Sequence, residues 1–168
     1  MVHSLMRHPA LRILSLSGLL MLSACGFAPL YAQQGLTMKL SQIALDVPQT
    51  RTGYFLEQGL KNGLAIDPSQ PAIYSLKVTM KESHYSIGFR VNDTSTRSEI
   101  TNVVSYALKD IKTDKVLLQK TFTDTVTYDT SSSPFTGVVS QQDAQKRVAA
   151  SSAQKIETEL AVYFHEAH

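Results

Sequence analysis

Apolar and polar residues alternate with a period of two along three neighbouring stretches of the chain. Tyr74, Leu76, Val78 and Met80 share one parity in the first, which runs on past Tyr85 towards Phe89. Ile100, Val104, Tyr106 and Leu108 do so in the second, interrupted by the polar Asn102. Val116, Leu118, Phe122, Val126 and Tyr128 do so in the third. A period of two places each set on one face of a strand. The pattern therefore predicts three antiparallel strands with one dry face, the mark of a sheet covered on one side. Asn92-Asp93 predicts a turn or flexible tip, and Asp110 to Lys115, centred on Thr113-Asp114, a tight connection.

The flanks read differently. Leu36, Met38 and Leu40 alternate on one parity and Ile43, Leu45 and Val47 on the other, which predicts one strand with a bulge at Ser41-Gln42, closed by Pro48. From Thr50 to Leu64 the spacing of Leu56, Leu60 and Leu64 predicts a helix. Thr50 or Thr52 would cap it and Asn62-Gly63 would stop it, while Gly59 marks close packing on a sheet. Asp129 to Val139 (DTSSSPFTGVV) reads as a mobile Ser/Thr-rich loop. From about Ser140 to His165, Ala144, Val148, Ser152, Ile156, Leu160 and Tyr163 draw a helical stripe, with Ser140 and Asp143 approximating a capping box. The small residues Ala149 to Ala153 on this helix predict close packing on the sheet. The expected fold is α+β: two helices on one face of a four-stranded, mostly antiparallel sheet, in the order β-α-β-β-β-α.

The first 24 residues carry a different pattern. Arg7 and Arg12 precede the apolar stretch Ile13 to Leu22, and small residues Ser23-Ala24 follow it. This is the three-part layout of an export signal. The stretch is well short of the roughly 20 residues that span a bilayer. Removing it changes the charge: Lys+Arg falls from 16 to 14 without Arg7 and Arg12, equal to the 14 Asp+Glu. A neutral mature body lacks the footprint of a general nucleic-acid binder.

Cys25 is the chain's single cysteine, so no internal disulfide can form. Leu22-Ser23-Ala24-Cys25 resembles the bacterial lipobox, in which the Cys becomes the lipidated first residue. Each buried acyl CH₂ contributes about 0.8 kcal/mol, enough for several chains to hold a protein on a membrane. Gly26 stands where an Asp would resemble an inner-membrane retention signal, which points to the outer membrane. The expected organisation is a signal over 1–24, a lipidated tether over 25–35 and one domain over 36–165.

A search for chemistry finds little. His165 and His168 form the one His pair at ligand spacing, close to the C-terminus, so no metal site and no cofactor are expected. There is no GxSxG and no phosphate-binding glycine loop. Asp124 and Asp129 flank a strand end, where carboxylates are usually solvated. An enzyme is not expected. Lys77, Lys81, Arg90 and Arg97 are cations that could meet phosphates, set against their ordinary role as solvated charges.

Several separated pieces resemble the LPS-assembly lipoprotein family, LptE. Cys25-Gly26-Phe27-x-Pro29-Leu30-Tyr31 matches its lipobox tail. Tyr106-x-Leu108-x-Asp110 and Thr113-Asp114-Lys115-Val116-Leu117 resemble its strand and turn, with Asp114 in place of a Gly. Gln142-Asp143-Ala144 with Arg147, then Ala153, Ile156 and Leu160, is similar to its closing helix. The resemblance implies a periplasm-facing outer-membrane lipoprotein that plugs an LptD-type β-barrel and helps deliver lipopolysaccharide to the outer leaflet. Arg90, Arg97 and Lys120 are the candidate lipopolysaccharide contacts. The rival expectation is an auxiliary lipoprotein of an ABC-type lipid-transport system.

Overall fold

The structure, a computed structural model, describes residues 35–89, 95–130 and 133–166. Among these the order is α1 (Leu36–Ser41), β1 (Ile43–Asp46), α2 (Arg51–Gly63), β2 (Tyr74–Phe89), β3 (Ser95–Asp110), β4 (Val116–Asp129) and α3 (Pro134–Glu166). The strands form one sheet in the order β1-β2-β3-β4, parallel between β1 and β2 and antiparallel elsewhere. The expected α+β class holds, with a third, short helix at the front.

The period-two pattern translates directly into burial. Leu76, Val78, Ile100, Val104, Tyr106 and Leu108 are all buried, and Lys77 and Lys81 on the opposite parity are exposed. Helices α2 and α3 cover this dry face. From α2 come Leu56 and Leu60, with Leu64 just past its end; from α3 come Ala144, Val148, Ser152, Ile156 and Leu160, the predicted stripe. Phe164, rather than Tyr163, completes it. Burying a large aliphatic side chain contributes about 1.5–3 kcal/mol, so this seam dominates the fold's stability. Val116 departs from the pattern and is exposed, because the register shifts between Leu108, opposite Leu118, and Lys109, opposite Val116.

Local chemistry sets the element ends. Thr50 caps α2 by accepting the Gly53 N–H at 3.0 Å, and the close approach of the Pro48 carbonyl leaves no room for a side chain on Gly53. The helix ends at Gly63, but the left-handed residue is Ala65, two positions on. In the β3–β4 turn, Asp110 Oδ1 accepts from the Thr113 N–H and hydroxyl at 2.8 and 3.0 Å. Asp114 then takes φ 53, a left-handed conformation that Gly, Asn and Asp adopt most readily.

Three expectations are corrected. Leu36 to Ser41 is a helix, not the first half of a bulged strand. Leu36 and Leu40 are buried four residues apart while Met38 is 66% exposed, so the same three residues satisfy a helical period. Gln42, the supposed bulge, joins helix to strand, and its carbonyl accepts the Ile73 and Tyr74 N–H groups. Second, the supposed loop before Val139 is helical from Pro134. A proline suits the first helical position because its missing N–H would have no partner there. Ser140 and Asp143 consequently lie inside the helix, and Asp143 bonds Arg147 one turn on instead of capping. Third, the small residues of α3 meet α2 as well as the sheet: Gly59 abuts Ala153, helix against helix.

Candidate functional site

Three polar side chains lie in one register row across the dry face of the sheet. Glu82 on β2 stands opposite Asn102 on β3, and Asn102 opposite Asp124 on β4. On one side of the row Ile100 packs with Ala144, Val148, Val126 and Tyr128; on the other lie Val104, Tyr106 and Leu108.

Each end of the row is tied to the helices. Glu82 accepts from Thr52 of α2 at 2.5 Å and from Gln145 of α3 at 2.9 Å, and lies 2.8 Å from His84 Nε2. Burial pushes the Glu82 carboxyl up, but the hydrogen bonds from Thr52, Gln145 and His84 outweigh it and leave it below its ordinary range. Asp124 accepts from Ser152 at 3.2 Å and pairs with Lys155 at 3.0 Å. The sequence reading of Asp124 as a solvated neighbour of Asp129 is thus overturned: Asp124 is 7% exposed, while Asp129 points to the opposite, open face. Asn102, in the middle, is fully buried, and neither its Nδ2 nor its Oδ1 has a partner among the described residues.

Next along the sheet, the Tyr106 hydroxyl donates to Glu159 of α3. Burial first, then that carboxylate, push the Tyr106 hydroxyl well above its ordinary range. Lys120 reaches the same Glu159 at 3.5 Å.

A groove of about 380 Å³ opens where the end of β4 meets the first turns of α3. Arg97 and Asp129 line one side, Asp143 and Arg147 the other. Arg97 lies 3.5 Å from Asp129; Arg147 bonds Asp143 at 2.9 Å and the Thr127 carbonyl at 3.1 Å. Exposed pairs of this kind are worth about 0–1 kcal/mol, so an incoming anion can compete for either guanidinium.

Of the predicted contact residues, Arg97 lies in this groove. Lys120 lies on the other face of the sheet, in the middle of β4 beside Glu159, so the two do not form one site. Arg90, the Asn92-Asp93 turn and Cys25, with the signal and the tether up to residue 34, fall outside the described residues. Arg147 entered the sequence reading only as part of a helix motif. Its place beside Arg97 depends on β4 folding under α3, which no local pattern reports. Among the described residues no group of three or more His, Cys, Asp and Glu could hold a metal ion, and no helix is long and apolar enough to cross a membrane.

No protein-family model and no curated protein matches the chain. Solved structures do. The "putative lipoprotein" of Caulobacter crescentus CB15 is 30% identical, with a TM-score of 0.70, over 80% of this chain and 98% of that one. The minor lipoprotein of Acinetobacter baumannii shares the fold at 16% identity and a TM-score of 0.55, over 73% of this chain and 92% of that one. Rare lipoprotein B of Shewanella oneidensis does so at 10% and 0.57, over 76% and 99%. With that identity over nearly the whole Caulobacter protein, the chain belongs to the same lipoprotein family.

Proposed function

We propose that this lipoprotein is an LptE-type subunit of the outer-membrane lipopolysaccharide translocon, lipidated at Cys25 and seated in an LptD-type β-barrel. The observation that carries the reading is the ordered set of LptE-like pieces, from Cys25-Gly26-Phe27-x-Pro29-Leu30-Tyr31 to Gln142-Asp143-Ala144 and Arg147. Membership in a lipoprotein family supports it, as does a polar row, Glu82, Asn102 and Asp124, whose two carboxylates are held by helix side chains. The role is binding and support, not catalysis. Within it, the Arg97–Arg147 groove is the place for a lipopolysaccharide phosphate, where bidentate guanidinium contacts would replace exposed Asp partners.

Crosslinking the mature domain in cells, followed by identification of what is captured, tests the proposal. The expected product is an outer-membrane β-barrel protein, with lipopolysaccharide recovered alongside it. Capture of an inner-membrane transporter complex would favour the auxiliary-lipoprotein alternative and remove the translocon reading.

A further inference from the structure

Strand β4 is an outer strand: among the described residues it pairs with β3 and with no other strand. The direction of its free backbone groups follows from one contact. Arg147, reaching from α3, donates to the Thr127 carbonyl at 3.1 Å, so that carbonyl does not face β3. In an antiparallel strand the N–H and C=O of a residue point to the same side, and the side alternates along the chain. Gln119, Thr121, Thr123 and Thr125 therefore turn both backbone groups to the free edge, and the even-numbered residues pair with β3. The Asp110 N–H donating to Lys115 at the turn fits the same parity, since it sets the even residues of β3 towards β4.

This edge carries few of the devices that keep edges apart. Between Val116 and Asp129 there is no proline and no glycine. Its one lysine, Lys120, turns to the helix side and Glu159. A long edge of Thr, Val, Leu and aromatic residues left in this state is a template for another strand. Arg147 closes only the Thr127 end.

The sequence of β4 is complementary to its own reverse. Set antiparallel to itself about Phe122, it places Lys120 opposite Asp124, Thr121 opposite Thr123, Leu118 opposite Val126, and Gln119 opposite Thr125. Thr121–Thr123 and Gln119–Thr125 are then the hydrogen-bonded pairs, in agreement with the backbone parity. Lys120–Asp124 is a non-hydrogen-bonded pair, where side chains approach most closely. An axis at Lys120 or Asp124 would set like charges face to face, and one at Thr121 or Thr123 would lose the ion pair. We propose that β4 pairs with β4 of a second copy about a twofold axis at Phe122, joining the two sheets into one. Lys120 and Asp124 already lie beside this seam, within 3.5 Å of Glu159 and 3.0 Å of Lys155, so pairing extends an existing run of charges. This inference does not rest on the translocon reading; it concerns the protein free of a barrel.

Sedimentation equilibrium of the full lipidated chain in density-matched detergent tests it. The wild type is expected to be dimeric. The Thr121→Lys/Thr123→Lys variant, with both changes on the exposed face, is expected to dissociate roughly tenfold or more readily, since like charges then stand opposite each other. If that variant fails to fold, disulfide trapping decides. A mixture of Thr121→Cys and Thr123→Cys chains should crosslink well above the wild-type background, and Thr121→Cys chains alone should not, because their α-carbons lie too far apart. A monomeric wild type, a dimer indifferent to the lysines, or equal trapping of Thr121→Cys alone would overturn the proposal. So would protection of the β4 amides that appears only on binding a barrel protein.

Discussion

The methyl group of Ala153 lies 2.9 Å from the point where a side chain on Gly59 would begin. Helices α2 and α3 touch there, backbone against a single methyl. Gly59→Ala gains about 1 kcal/mol of helix propensity but must separate the helices. We expect a net loss of about 1–3 kcal/mol, the usual cost of overpacking, measured by urea unfolding. Adding Ala153→Gly should recover part of it. A Gly59→Ala protein as stable as wild type would show that the contact yields freely.

Glu82 gives the fold a dependence on pH. Its carboxyl is held below the ordinary value of 4.5, so the unfolded chain takes up a proton before the folded one does. The stabilisation it contributes is complete above 4.5 and is lost as the pH falls through the lower folded value. Glu82→Gln should flatten the acid limb of a stability–pH curve, leaving the Thr52 and Gln145 tethers weaker at neutral pH. Identical acid limbs in the two proteins would contradict this.

Asn102 invites a stabilising change. Its buried amide has no partner among the described residues, and an orphaned buried polar group costs about 1–3 kcal/mol. Asn102→Leu, close in volume, should raise the urea midpoint with an unchanged m-value. A drop in stability would mean that the amide is satisfied in solution, for instance by a buried water bridging it to Gln145.

Cys25→Ala should leave the domain folded and release it from the membrane. Metabolic labelling with a radioactive fatty acid checks this: label on the wild type and none on the variant is the expected pair. Label persisting on the variant would remove the lipobox assignment.

The sheet was legible because a half-buried strand leaves a period-two trace, and β2, β3 and β4 each leave one. Asn102 showed as a break in that trace, and Lys120 and Asp124 break it in β4 in the same way. An acid at such a position does not report locally what it will meet. What buries Asp124 is Ser152, 28 residues away, together with Lys155. Leu36, Met38 and Leu40 fit both periods, and only the depth of Leu36 and Leu40 against the exposure of Met38 decides between them. The Ser/Thr composition before Pro134 hid the start of α3, since such residues favour turns and caps alike. Of the groove, Arg97 and Arg147 were both noted, but their meeting is a product of topology.

Helix α3 also fixes a distance. Its 33 residues rise about 1.5 Å each, close to 50 Å in all. Helix α1 lies beside its far end, where Lys39 stands over the ring of Phe164. Phe135, 79% exposed, lies on the first turn at the other end. The hydrocarbon core of a bilayer is only about 30 Å thick. The helix is thus a ruler longer than a membrane is deep, with helix α1 at one end of it and Phe135 at the other.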